Sequence, residues 1–228
     1  MLIKLARLLP YFLLLFCGSA LAGRPFFTDD AALTTPDTCQ IESWVQVNGN
    51  QGSDIWAVPA CNPSGNFEIT LGINRLQMNS DSNTQSYLLQ GKTLLKKLKT
   101  NDWGLGLAFG VIRPTEGRAG TDFIYLPLSI SFDDDNLTLH TNLGWVKDRT
   151  QGSNRTSWGL GADYVLAERT SVFAEVFGED VIKPMFHTGF NFTLIPNRLN
   201  LNLTYGYNQA LEHNNHLYSV GLNIYSLP

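Results

Sequence analysis

Leu199-Asn200-Leu201-Asn202-Leu203-Thr204-Tyr205-Gly206-Tyr207-Asn208 alternates without a break. One face reads Leu, Leu, Leu, Tyr, Tyr and the other Asn, Asn, Thr, Gly, Asn, the period-2 pattern of a strand with a single apolar side. The polar side carries small uncharged residues, where a sheet facing bulk water usually carries charge. Lipid against the Leu/Tyr side and an enclosed wet interior against the Asn/Gly side fit that pattern.

The pattern recurs along the chain. It predicts strands at 39–47, 55–61, 67–76, 84–95, 103–113, 122–132, 137–147, 156–166, 170–178, 184–194, 199–208 and 216–225, with the first, second and fourth the weakest. Turn chemistry such as Asn62-Pro63-Ser64-Gly65-Asn66, Asp133-Asp134-Asp135-Asn136 and Pro196-Asn197-Arg198 separates them. The expected fold is all-β: a single transmembrane antiparallel up-and-down β-barrel of about 12 strands. A soluble β-sandwich is the competing architecture, and two features speak against it. Segments of roughly ten residues suit a tilted membrane crossing, whereas globular strands run about five or six. The outward aromatics also fall into two girdles: Trp145, Trp158, Tyr205, Tyr207 and Tyr218 at one end, Phe67, Trp103, Phe132 and Tyr164 at the other.

Composition agrees. Charged residues make up 16% of the 228, against about 25% in soluble domains. Past the N-terminus no apolar run approaches about 18 residues, so no helical span is expected in the mature protein. Residues 1–22 read as a cleaved signal peptide: Lys4 and Arg7, an apolar core from Leu8 to Phe16, then Ala20-Leu21-Ala22. An uncleaved anchor or a lipoprotein through Cys17 fits less well, given Pro10 and Phe16. Without Lys4 and Arg7, 14 basic residues face 20 acidic ones, a charge of −6 that disfavours nucleic acid. Two cysteines remain, Cys39 and Cys61, and in an exported chain a disulfide is expected. A hairpin folded about Asn50 sets them opposite each other; two free thiols are the alternative.

Residues 23–38 lack periodicity and read as an irregular periplasmic lead-in or plug, with 39–228 as the barrel. Within the lead-in, Arg24-Pro25-Phe26-Phe27-Thr28-Asp29-Asp30-Ala31, followed by Gln40-Ile41-Glu42-Ser43, resembles the outer-membrane barrel family labelled "MetA-pathway of phenol degradation". Gly91-Lys92 and the Gly-rich fifth strand look similar too. The resemblance implies a bacterial outer-membrane channel or transporter linked to aromatic or other small hydrophobic compounds. Partners would be outer-membrane lipid, a small-molecule solute and the assembly machinery. One departure is the run past Tyr225 to Ser226-Leu227-Pro228, where such barrels commonly end on an aromatic.

Function must be read from the inward face. Small residues dominate it, as in Gly104/Gly106/Ala108/Gly110, and leave room for a passage. Inward parity also collects Glu42, Glu68, Lys92, His140, Asp163, Glu175, His187, Asn191 and Asn202 into a polar belt. Folding strands 3 and 4 about Ser80 sets Glu68 opposite Lys92 as an ion pair; strands 9 and 10 set Glu175 opposite His187, with Asp163 close to facing Glu175. The belt reads as a stiffening network, a cation-favouring constriction, or a metal site without ligand-spacing signature. Arg24, Asp29 and Asp30 belong to a plug that meets the belt, or to a mobile tail. No catalytic residue, cofactor or metal is expected. The rival functions are a structural or adhesive barrel, or an outer-membrane lipid hydrolase, which needs a Ser and His within reach of each other facing lipid.

Overall fold

The structure, a computed structural model, describes residues 27–227 apart from 50–51, 79–82, 118 and 210–214. The expected signal peptide and Arg24 lie outside the described residues. Twelve strands follow one another: β1 (Cys39–Asn48), β2 (Gly52–Cys61), β3 (Phe67–Met78), β4 (Asn83–Lys96), β5 (Trp103–Pro114), β6 (Thr121–Phe132), β7 (Leu137–Asp148), β8 (Ser153–Ala167), β9 (Thr170–Glu179), β10 (Met185–Ile195), β11 (Leu199–Asn208) and β12 (His216–Leu227). Each pairs antiparallel with its sequence neighbours, and β1 pairs with β12 to close the barrel. Closure leaves no strand edge with unpaired N–H and C=O groups, which is what makes a sheet tolerable in lipid.

All twelve strands expected from alternation are present. β2 and β8 start earlier than the alternation suggests. In β8 the extra residues Ser153, Asn154 and Arg155 pair with Asp148, Lys147 and Val146, polar positions where period-2 hydrophobicity carries no signal.

The outside is apolar. Ile69, Leu71, Ile73, Leu89, Leu126, Leu143, Leu160, Leu203 and Leu222 stand exposed around the middle of the wall. Trp103, Phe132 and Tyr164 are exposed near one rim, and Trp145, Tyr205 and Tyr218 near the other. An apolar band of this extent is untenable in water, and lipid satisfies it. We call the rim that carries Cys39 and Leu227 the near end and the opposite rim the far end.

Cys39 and Cys61 face each other in the β1–β2 register and form a disulfide at the near end. Immediately before it, Asp37 and Thr38 are tied to the β2–β3 turn: the Asp37 N–H donates to the Asn62 carbonyl at 2.9 Å, and the Asn62 N–H to the Thr38 carbonyl at 3.1 Å. From this root, residues 27–36 run back into the lumen.

Candidate functional site

The lumen segment is held by barrel side chains, mostly through its backbone. On β9, Glu175 accepts the Phe27 N–H at 2.8 Å and the Thr28 N–H at 2.7 Å. On β6, Ser129 Oγ accepts the Ala31 N–H at 2.9 Å. On β3, Glu68 accepts both the N–H and the hydroxyl of Thr34, at 2.6 and 2.7 Å. Asn62 donates to the Thr34 carbonyl at 2.7 Å. Asn142 on β7, its amide turned to match, donates to the Asp29 carbonyl at 2.8 Å and accepts the Asp29 N–H at 2.7 Å. Bonds from N–H groups to ionised carboxylates are worth about 1.5–3 kcal/mol each, so Glu175 and Glu68 clamp the two ends of the segment.

Charge fixes its middle. The Lys92 ammonium on β4 lies 2.9 Å from Asp29 Oδ1 and 3.0 Å from Asp30 Oδ1. Tyr125 donates its hydroxyl to Asp29 Oδ2 at 2.7 Å. Packing completes the seat. The Phe27 ring stacks on Phe177 at 4.6 Å and meets the edge of His187 at 5.2 Å. β8 comes so close that a Cβ at Gly159 would stand 2.6 Å from Thr28 Oγ1, which is why a glycine sits there.

The segment narrows the lumen without filling it. A cavity of about 590 Å³ runs from the level of Gln40 to Thr121, Val146 and Glu179 at the far end. Its wall is mixed: Trp44, Trp56, Val58, Leu88, Ile112 and Phe123 form an apolar part, and Thr70, Gln90, Lys92 and Thr121 are among the polar residues that share the lining. Trp44 and Trp56 are register partners across β1 and β2, stacked at 5.5 Å and 16°. Among the described residues that line it, none belongs to β10, β11 or β12. That side of the lumen is filled instead by buried Phe173, Asn202, Leu217, Asn223 and Tyr225.

The residues named from parity separate into groups. Glu68, Lys92, His140, Glu175 and His187 are all buried inside the barrel, and Asp29 and Asp30 meet them. Glu175 and His187 are register partners, bonded at 2.8 Å. Glu68 and Lys92 are register partners too, yet the expected ion pair between them does not form, because Asp29 and Asp30 take the ammonium and Thr34 takes the carboxylate. Asp163 is a second correction: Gly161 faces Glu175. Asp163 instead accepts the Ser171 hydroxyl at 3.0 Å, with Asn191 donating to Ser171 at 3.5 Å, in a separate cluster toward the near end. Asn202 is buried against Gly221, away from the cavity. Glu42 lines the cavity and accepts Gln40 Nε2 at 3.3 Å. Among the described residues no three His, Cys, Asp or Glu are placed to hold a metal.

Sequence reading missed Trp44, Trp56, Phe123, Tyr125, Asn142 and Ser129. Parity alone would have found them, since Trp44 is two residues from Glu42 and Tyr125 is four from Ser129. Ser129 Oγ lies 2.8 Å from His140 Nδ1, a contact between neighbouring strands that neither residue's own surroundings suggest.

Comparison with known proteins fits this architecture. A family model described as "Uncharacterised conserved protein UCP029691" matches residues 12–225, and the chain belongs to that family; the phenol-degradation label is not confirmed by it. No curated protein matches the chain. Among solved structures, a KdgM porin is similar with a TM-score of 0.67 at 11% identity, over 83% of this chain and 99% of that one. A NanC porin gives 0.60 at 10% identity, over 83% and 100%. The outer membrane phospholipase A from Escherichia coli gives 0.54 at 11% identity, over 84% and 94%. At such identities the likeness is one of fold. Fold and outer surface together make this an outer-membrane barrel of bacterial type.

Proposed function

From a chain of an uncharacterised family whose barrel keeps a lined cavity beside a docked segment, we propose a channel for small ring-bearing or otherwise hydrophobic molecules, with residues 27–34 as its plug. The cavity carries this reading: a lumen meant only to stiffen a wall would be packed shut, as it is along β10 to β12. Its volume lies within the range of small-molecule sites, and its wall of Trp44, Trp56, Leu88 and Phe123 suits flat apolar solutes. The near-end root at the disulfide would face the periplasm, and the cavity mouth the cell exterior.

The neighbour "KdgM porin in complex with disordered oligogalacturonate" is a precedent for a solute complex with a barrel of this shape. The phospholipase neighbour raises hydrolysis, because Ser129 and His140 are in contact. Both point into the lumen, however, and Ser129 is wholly buried under Ala31. An enzyme working on membrane lipid needs its nucleophile on the lipid side, so we read the pair as part of the segment's seat.

Planar-bilayer recording tests the proposal. The purified barrel should give small unitary steps. Gly159→Val, whose side chain intrudes on Thr28, should give larger ones by loosening the segment. Silence in both proteins would sink the channel reading.

A further inference from the structure

We propose that the outer wall of β5 to β7, at its far rim, is a binding site for the phosphate of a membrane-lipid headgroup. The inference needs the far rim to meet a lipid leaflet and does not depend on what the lumen carries.

Alternation places Arg113 on β5, Asp122 on β6 and Lys147 on β7 on the outward face, with Arg149 one residue beyond β7. The register sorts them into levels. Phe109, Ile124 and Trp145 are aligned across the three strands, and Val111, Asp122 and Lys147 are aligned next beyond them. Arg113 and Arg149 come last, and the Arg149 N–H donates to the Gly120 carbonyl at 2.9 Å. Two residues of strand span roughly 7 Å, so the charges begin one such step beyond Trp145, which stands exposed at the aromatic rim. Tyr87, also exposed, is the register partner of Arg113. Aromatic rings of a membrane protein mark the interface, and charged headgroups lie directly beyond it.

Asp122 is already committed, and its commitments define the site. Its carboxylate pairs with Arg113 through one oxygen and with Arg149 through the other. Arg113 is fixed further by donating to the Thr121 carbonyl at 2.8 Å and the Ile112 carbonyl at 3.0 Å. Each guanidinium has five N–H donors, and these contacts use three on Arg113 and two on Arg149. The carboxylate is largely covered, at 17% exposed, while the two arginine side chains are 37% and 48% exposed. One acid therefore holds two outward guanidiniums side by side. Lys147 is directly opposite Asp122 in the register, yet it forms no ion pair among the described residues, because the guanidiniums occupy both oxygens. Three cations thus share one carboxylate. Arg75, exposed on the outward face of β3, extends the patch, and Glu116 in the β5–β6 connection offsets one of its charges.

A network that only tied the wall would balance its charges, and exposed ion pairs contribute little in any case. The chain as a whole carries a net charge of −4. A local excess of cations on an acidic chain, at headgroup level, points to an anionic partner. Phosphate fits, because guanidiniums bind it through paired N–H donors and basic side chains near a membrane surface attract anionic lipid. Exposed far-end positions elsewhere on the outer wall are Phe186, Tyr205, Tyr218, Val45 and Val47, which carry no charge. The site is local.

The full barrel, delipidated in a nonionic detergent, is titrated with dioctanoyl phosphatidic acid or dioctanoyl phosphatidylcholine, and bound lipid is counted by native mass spectrometry. The two lipids share their chains and differ in headgroup charge. Phosphatidic acid should bind at a concentration at least about tenfold lower than phosphatidylcholine. Arg113→Gln/Arg149→Gln should erase that preference. Lys147→Glu, which breaks no ion pair among the described residues, should weaken phosphatidic acid binding about tenfold, and it decides alone should the double variant fail to fold. Equal binding of the two lipids, or a preference that survives these substitutions, overturns the site. Displacement of phosphatidic acid by an equal concentration of inorganic phosphate would mark a free-anion site and overturn the lipid assignment. The channel reading stands or falls separately, on the bilayer recording above.

Discussion

The two sides of this barrel solve the same problem differently. Along β10 to β12 and the near-end half of β9 the lumen is closed by the wall's own side chains, with Phe173 and Asn223 each about 1% exposed and Asn202 2%. Along β1 to β6 and the far ends of β7 to β9 the wall stands back from the centre, and a cavity lined by Trp44, Trp56 and Phe123 remains. The lumen segment lies between them, clamped to β9 by Glu175 and to β3 by Glu68. A twelve-strand barrel is wider than its side chains can fill. One side therefore needs large buried groups to complete its packing, and the other keeps its space because the segment rather than the wall sets its boundary. Glu68, Lys92 and Glu175 of the polar belt hold the segment, and under the proposed channel function the aromatic wall is the part that meets the solute.

Substitutions that touch one side alone should leave the other unmoved. The largest effect is expected from Lys92→Met, which leaves buried Asp30 and half-buried Asp29 without their cation. Removing one partner of a buried ion pair costs about 3–5 kcal/mol, here subtracted from docking of the segment. Hydrogen exchange should show residues 27–34 losing protection while β9 to β12 keep theirs; a segment that stays protected would mean that Lys92 does not lock it. Cys39→Ser comes next, at about 2–4 kcal/mol. It should lower the temperature of heat-modified gel mobility while the barrel still inserts, and complete loss of insertion would give the disulfide a role in assembly rather than in stapling a hairpin. Glu175→Gln is milder, about 1–3 kcal/mol. It weakens the bonds to Phe27, Thr28 and His187, and should shorten the lifetime of the docked segment in proteolysis without changing the melting of the barrel. An equal loss in both measurements would erase the distinction between segment seat and wall.

Much of this was legible in the sequence because lipid enforces alternation at every crossing. Leu199 to Asn208 shows one face to lipid and the other to the lumen, and each of its fellows repeats the pattern closely enough to place the turns. Register was legible as well where a hairpin is short: Glu175 does face His187, and Glu68 does face Lys92. Register does not decide partners, however. Lys92 pairs with Asp29 and Asp30, whose positions depend on an aperiodic segment that no hairpin rule aims. Trp44 and Trp56 escaped for a related reason. On β1 the inward residues Gln40, Glu42 and Gln46 alternate with outward Ile41, Val45 and Val47, and a large aromatic on the polar side looks like a break in the strand rather than part of a wall. Polar lengthening of β8 beyond the membrane band gave no apolar signal at all.

The root of the lumen segment at Cys39–Cys61 bears on its kinetics. Because Thr34 is only five residues from Cys39, and Cys39 is bonded to the wall, docking of residues 27–34 is an intramolecular event. Its effective concentration is on the order of millimolar or higher, set by tether length. Occupancy is then independent of how much protein a membrane holds, and a detached copy of the same peptide would have to reach that concentration to compete. A solute that pushes the segment aside need only outlast one local return, so opening and closing would be governed by the tether rather than by any encounter between molecules.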